Sequence, residues 1–318
     1  MSGLYITKRL AFYLPLMLTP QRGGENINYQ DLVTEIESYG HMDCLHSSIT
    51  FLIDPFGNKY VVKQIKLLRD SNVFDPAQLV CEMVALDIGH SIEAPLNYAA
   101  LIPAGVPFIG KLIDLPATLH TYARGVRFDK YQGTQYKGLH IRQRNAQNKI
   151  TGLTREIIYH MSRHNDLPVL VALDTFVGNG DRGRWNYFYD LATDSFIGID
   201  MADAFNRKLC ALSTENMYTL FFNEQVDFSE QEFQGLLLYY ETLHRLVTLY
   251  PPRAIWDKFE MYIRLSGFYD TTFFDQETMK NCFKFFAWCN QIMLANYEHA
   301  IELDRLLKSL LTRKGFLS

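Results

Sequence analysis

The sequence predicts an α+β fold in two parts, a β-rich N-terminal lobe over residues 1–115 and a helical C-terminal lobe over 116–318. Three observations carry that prediction. Runs of β-branched and aromatic residues separated by turn clusters crowd the first third of the chain, as at 48–53 and 60–63. Helical periodicity dominates from about residue 230 onward, in segments 230–249, 254–265 and 277–311. No internal repeat or low-complexity tract interrupts the 318 residues, a length that allows two lobes around a sizeable core.

Composition narrows the function classes. With 48% apolar and 21% charged residues the chain has the balance of a folded globule. A formal net charge of -4 gives no overall attraction to nucleic acid or to an anionic membrane, so no nucleic-acid partner is expected. Five cysteines without Cys-x-x-Cys spacing read as free thiols in a reducing compartment, which points to the cytoplasm. The apolar run 10–18 follows Lys8 and Arg9 as in a signal peptide, but Pro15 interrupts it and no cleavage site follows, so a folded strand or helix is favoured. No stretch of 18 apolar residues exists, so no transmembrane segment is expected.

Residues 27–39 carry Ile27, Leu32, Val33 and Ile36 at near-helical spacing and end at Gly40, which reads as a helix stop. The runs 48–53 and 60–63 then flank a turn cluster at 54–59 and predict a hairpin. Its second strand places Lys63 after two valines. Residues 76–89 form an apolar-periodic helix with Pro76 at its start, Gly89 at its end and Glu82 inside. Two further strands are expected at 95–102 and 106–113, with a hinge between lobes at 114–116.

The stretch 130–149 contains five Lys/Arg and no acid. A solvated connection is the favoured reading, with a phosphorylated ligand or a lipid head group as the alternative. A helix over 151–165 carries His160 and His164 one turn apart, an incomplete metal site better read as helix surface. The very apolar helix 167–177 follows and would hold the next segment rigidly.

That next segment concentrates the chemistry. Asp181, Asn186 five positions later and Asp200 after a strand–turn–strand pattern are the inventory a phosphoryl-transfer site requires. One carboxylate orients the attacking hydroxyl, while a second carboxylate and an amide oxygen hold Mg2+ on the nucleotide phosphates. Antiparallel pairing of 185–189 with 195–199 would bring Asn186 and Asp200 together. Arg182 or Arg184 would neutralise phosphate or pair with a carboxylate, and Asp203 reads best as a helix N-cap.

The block GNGDRGRWN, an apolar strand and IDMADAF resembles the N-x-D-R-H-x-x-N … I-D-H-x-x-A-F signature of HipA-like kinases and of phosphatidylinositol 3- and 4-kinases. It departs from the signature at Gly183 and Met201, both of which replace His. The spacing of Asp181 and Asn186 also matches the protein-kinase catalytic loop. The resemblance implies a bilobal protein-kinase-like fold and an ATP- and Mg2+-dependent kinase. In it Asp181 positions the acceptor hydroxyl, Asn186 and Asp200 bind the metal, Lys63 holds the α- and β-phosphates, and Glu82 orients Lys63. A phosphate-covering loop would fall at 40–48, with Ser47 and Ser48 as its contacts. The implied acceptor is a protein Ser/Thr hydroxyl; a phosphoinositide kinase and a nucleotide-binding pseudokinase scaffold stand as alternatives.

Overall fold

The computed structural model describes residues 37–43, 47–53, 57–65, 75–104, 106–108, 111–113, 115–127, 162–179, 186–206, 221–222, 227–269, 272 and 274–317. Strands come first and helices last, as the α+β reading of the sequence predicts. The chain divides into two units. The first draws on the stretch up to Leu86, on Asn97–Tyr122 and on Asp257–Ala287; the second on Asp87–Leu96, Ala123–Trp256 and Trp288–Ser318.

The first unit is built on an antiparallel sheet of β1 (Glu37–Asp43), β2 (Ser47–Ile53), β3 (Lys59–Ile65), β4 (Ala99–Ile102) and β7 (Ala117–Thr121). Its spatial order is β1-β2-β3-β7-β4. The expected hairpin is there: β2 and β3 pair from Ser47 opposite Ile65 to Ile53 opposite Lys59. Gly57, at φ 80, occupies the left-handed region that the tight return between them requires. Two short strands, β5 (Val106–Phe108) and β6 (Lys111–Ile113), form their own hairpin where a single strand over 106–113 is predicted.

Two sequence expectations need correction in this unit. Residues 37–39, expected to close a helix begun at 27, belong to β1; residues 27–36 lie outside the described residues. The sparse apolar spacing there is outweighed by a full antiparallel ladder to β2, and Gly40 sits beside a register shift between Ser38 and Gly40. It marks a strand irregularity, not a helix stop. Leu115 and Pro116 of the expected inter-lobe hinge lie inside the first unit, because β7 returns to pair with both β3 and β4.

Helix α1 (Asp75–Ser91) follows β3, with Pro76 in its first turn where the missing N–H costs nothing. Residues up to Leu86 count with the first unit and its last turn with the second. It runs two residues past the predicted stop at Gly89. That glycine serves packing: a Cβ there would lie 2.4 Å from a Leu96 methyl and 2.8 Å from one of Leu173. Phe268, Phe274 and Phe286 form an aromatic core in the first unit, with ring centroids 5.0 and 5.7 Å from Phe268. Each fully buried ring of this kind contributes roughly 1.5–3 kcal/mol of burial.

In the second unit, α2 (Asp166–Val177) packs against α3 (Glu230–Leu249) and against β10 (Ser195–Gly198) of a three-stranded sheet that also holds β9 (Tyr187–Asp190) and β8 (Val126–Arg127). Ten of the twelve residues of α2 are buried, which is why it reads as almost continuously apolar and not amphipathic. The Tyr239 hydroxyl of α3 donates to Thr175 Oγ1 of α2 at 3.1 Å, satisfying a polar group in that core. A capping box starts α3: Ser229 Oγ accepts from the Glu232 N–H, and the Ser229 N–H donates to Glu232 Oε2 at 2.7 Å. Helices α4 (Pro252–Ser266) and α5 (Gln276–Arg313) complete the chain. No helix among the described residues is long and apolar enough to cross a membrane.

Candidate functional site

Two clusters of polar side chains stand out, one in each unit. In the first unit, β3 delivers Lys63 and α1 delivers Glu82, and Lys63 Nζ lies 3.4 Å from Glu82 Oε2. The carboxylate is 1% exposed and the lysine side chain 15%. A charge so buried must be compensated, and Lys63 supplies the compensation. The register places Thr118 of β7 directly opposite Lys63, so both side chains project to one face of the sheet.

Thr118 and His120, two apart on β7, share that face. His120 Nε2 lies 2.7 Å from Thr118 Oγ1 and 4.0 Å from Glu82 Oε1. At the other side of the ring, Asn97 Nδ2 donates to His120 Nδ1 at 3.0 Å. All three residues are buried. Sequence reasoning missed this group, because a His, a Thr and an Asn scattered over 97–120 carry no spacing signal until strand pairing assembles them.

The second cluster begins where α2 stops. Gly178 takes φ 66 and its N–H returns to Asp174 O, ending the helix in a left-handed cap. Asn179 is then locked: its N–H donates to Asp174 O and its Nδ2 to Asp174 Oδ1, each at 2.9 Å. The same Nδ2 meets Met201 Sδ at 3.5 Å. Thus the residue entering the 180–185 segment is tied both to α2 and to the residue after Asp200. Phe205 N–H, donating to Val177 O at 2.7 Å, closes the link a second time.

Asn186 and Asp200 come from opposite ends of the β9–β10 hairpin, whose register runs from Ser195 opposite Asp190 to Gly198 opposite Tyr187. The Ile199 N–H donates to Asn186 O at 3.0 Å, so the chain at Asn186 abuts the residue preceding Asp200. Asn186 is buried; Asp200 is partly exposed. Asp200 takes φ 58, a left-handed conformation costing roughly 1–2 kcal/mol for a residue with a Cβ. Such strain persists where surrounding structure imposes it, and it clusters at functional sites. Behind the hairpin, Asp166 Oδ2 accepts from the Phe196 N–H at 2.9 Å. Burial raises the Asp166 pKa, partly offset by that hydrogen bond.

The remaining predicted residues distribute as follows. Ser47 and Ser48 stand at the start of β2, opposite Ile65 and Gln64. Asp181, Arg182, Gly183, Arg184 and the basic stretch 130–149 lie outside the described residues. Asp203 Oδ1 accepts from its neighbour Asn206 Nδ2 at 3.1 Å. His164, read as helix surface, is buried edge-on against Phe196, with ring centroids 5.3 Å apart. Among the described residues no group of three His, Cys, Asp or Glu side chains has metal-binding geometry. Asn186 and Asp200 at the hairpin end offer one amide oxygen and one carboxylate, ligand types that hard cations take.

No family model matches the sequence, and no curated protein is significantly similar to it. Solved structures are similar in fold. One is a proinflammatory kinase of Helicobacter pylori, CtkA, at 12% identity and TM-score 0.45, covering 86% of this chain and 98% of that one. A second is the Rio2 kinase of Chaetomium thermophilum in an ADP/Mg2+-phosphoaspartate complex, at 11% identity and TM-score 0.34, covering 85% of this chain and 72% of that one. A third is a MAP kinase of Leishmania major, at 10% identity and TM-score 0.34, covering 96% and 87%.

Proposed function

We propose that this protein is an ATP- and Mg2+-dependent phosphotransferase of HipA-like type that transfers the γ-phosphoryl group to a hydroxyl, with a protein Ser/Thr side chain as acceptor. The observation that carries the reading is the Lys63–Glu82 pair. A strand lysine held at 3.4 Å by a carboxylate 1% exposed on the following helix is a cation aimed and prevented from swinging into solvent. Catalysis of phosphoryl transfer consists almost wholly of such positioning and charge stabilisation. In this reading Lys63 contacts the α- and β-phosphates, Glu82 orients it, and the segment 40–48 covers the phosphates, with Ser47 and Ser48 as its contacts.

The second cluster supplies the complementary chemistry. Asn186 and Asp200 would hold Mg2+, which neutralises the charge on the transferring phosphoryl group. Asp181 would accept the hydrogen bond of the attacking hydroxyl and later its proton. Asn179 supports this assignment, since its three contacts fix the backbone two residues before Asp181 and beside Met201. The acceptor class rests on the sequence signature alone.

The test is incubation of the purified protein with γ-labelled ATP, Mg2+ and a generic protein substrate, beside the Asp181→Ala, Asp200→Ala and Lys63→Met variants. Label should appear on protein with the native chain and fall by at least about a hundredfold in each variant, as expected for loss of one electrostatic group at a transition state. Label confined to phosphoinositide vesicles would reassign the acceptor. Transfer that survives Asp181→Ala and Asp200→Ala unchanged would refute the assignment; ATP-dependent thermal stabilisation without any transfer would make the protein a nucleotide-binding pseudokinase.

A further inference from the structure

We infer that Asp166 is a positioning residue for Asp200, pinning β10 from the first turn of α2 so that the carboxylate just past the end of that strand keeps its place; this rests on the metal-binding role given to Asp200 above. β10 stands last in the order β10-β9-β8, and alternate N–H groups of a strand turn to opposite sides. The Ile199 N–H turns inward, to Asn186 O at 3.0 Å. Phe196 and Gly198 turn theirs the other way: the Phe196 N–H donates to Asp166 Oδ2 at 2.9 Å and the Gly198 N–H to Pro95 O at 2.8 Å. Leu96 adds a parallel bridge to Gly198. The side of β10 away from β9 is thus held at two successive outward positions, the second of them two residues before Asp200.

α2 is the frame for this hold. Its first residue takes Phe196 through the Asp166 side chain, and its last takes Phe205, whose N–H donates to Val177 O at 2.7 Å. Asp200 lies between the two anchors. A helix of twelve residues, ten of them buried, is a stiff spacer rising about 1.5 Å per residue, so the ends of the 196–205 stretch keep a fixed separation. The left-handed conformation of Asp200, φ 58, persists where neighbouring structure imposes it, and the two anchors supply that structure. A carboxylate suits the task, because a charged acceptor makes a stronger hydrogen bond than a neutral one. Burial pushes the Asp166 carboxyl up; the Phe196 N–H and His164 work against that rise, and Asp194 adds to it.

The experiment compares native protein with Asp166→Ala, which removes the acceptor, Asp166→Asn, which keeps an oxygen of the same reach, and Asp200→Ala. Calorimetry gives the affinity for ADP in EDTA and in excess Mg2+, and the ratio of the two is the gain from the metal. Asp166→Ala should cut that gain by about tenfold, the low end of what the outer partners of a metal ligand supply, and leave the affinity in EDTA unchanged. Asp166→Asn should recover most of the loss. Equal weakening with and without Mg2+, or an Asn variant no better than Ala, overturns the inference. Should Asp166→Ala fail to fold, amide hydrogen exchange of the native chain decides it: by reciprocity, Mg2+ added to the ADP complex should slow exchange at Phe196, and an unchanged rate refutes the link. A gain lost in Asp200→Ala yet intact in Asp166→Ala sinks this inference alone. A gain that survives Asp200→Ala, or is absent from the native chain, sinks the metal assignment and this inference with it.

Discussion

Replacing Lys63 with Met keeps the length of the side chain and deletes its charge. Glu82 is then left at 1% exposure without the cation that compensates it. Breaking a buried ion pair from one side costs about 3–5 kcal/mol when both members are fully desolvated. Lys63 is 15% exposed and its 3.4 Å contact is long, so the lower end applies and a loss of about 2–3 kcal/mol is expected. At roughly 2 °C per kcal/mol for a chain of this size, the melting temperature should drop by about 4–6 °C. Glu82→Gln should cost less, about 1 kcal/mol, because Lys63 retains access to water whereas the carboxylate does not. The double variant, Lys63→Met with Glu82→Gln, buries a neutral pair and should recover about half of the Lys63→Met loss or more. Urea unfolding of the four proteins gives the coupling energy directly, provided the slopes agree. A Lys63→Met midpoint equal to the native one, or losses in the double variant that simply add, would refute the claim that this pair is a compensated buried charge.

Asp200→Gly separates stability from activity: relief of φ 58 should stabilise the fold by about 0.5–1 kcal/mol in urea while phosphoryl transfer is lost, and a destabilised variant would show that the conformation is not strained. Asn179→Ala removes the donor at 2.9 Å from a buried Asp174 oxygen, so a loss of about 1–3 kcal/mol is expected in the same assay, with a fall in activity beyond the fraction unfolded at the assay temperature. For His299 burial outweighs the attraction of Glu302 and lowers its pKa, so the folded chain resists a proton that the unfolded chain accepts. Stability present above the unfolded value of about 6.5 should therefore fall as pH drops through that value toward the folded one, and a His299→Gln variant should show a shallower fall in urea titrations at stepped pH. Burial pushes the Cys282 thiol up to about 12, so iodoacetamide at pH 8 should leave it unmodified in the native protein and label it after unfolding.

Several features were legible from local sequence because local chemistry decides them. The hairpin β2–β3 follows from β-branched runs around a turn cluster, and α1 from a proline start and apolar spacing. The tail helices appear within a few residues of their predicted ends, since their apolar positions keep helical spacing throughout. The adjacency of Asn186 to the end of β10 likewise follows from hairpin register, which is short-range. The reading failed where pairing partners were distant: residues 37–39 joined a strand because β2 was there to pair with, and Leu115 and Pro116 fell inside a unit because β7 returned between β3 and β4.

Residue identity along the chain thus determined the α+β class, the order of strands before helices, and the two carboxylates, amide and lysine on which a phosphotransferase reading depends. Tertiary structure decided which polar groups meet. Glu82 lies 19 residues from Lys63, Thr118 and His120 are separated from Glu82 by β4, β5 and β6, and Asn97 follows the helix that carries Glu82. Their convergence depends on the register of β7 against β3 and on the face that α1 covers, both set by burial of apolar surface over the whole sheet. Nothing in a local window encodes that energy. The same holds for Asn179, whose ties to Asp174 are local but whose contact with Met201 exists only because the β9–β10 hairpin returns to the end of α2.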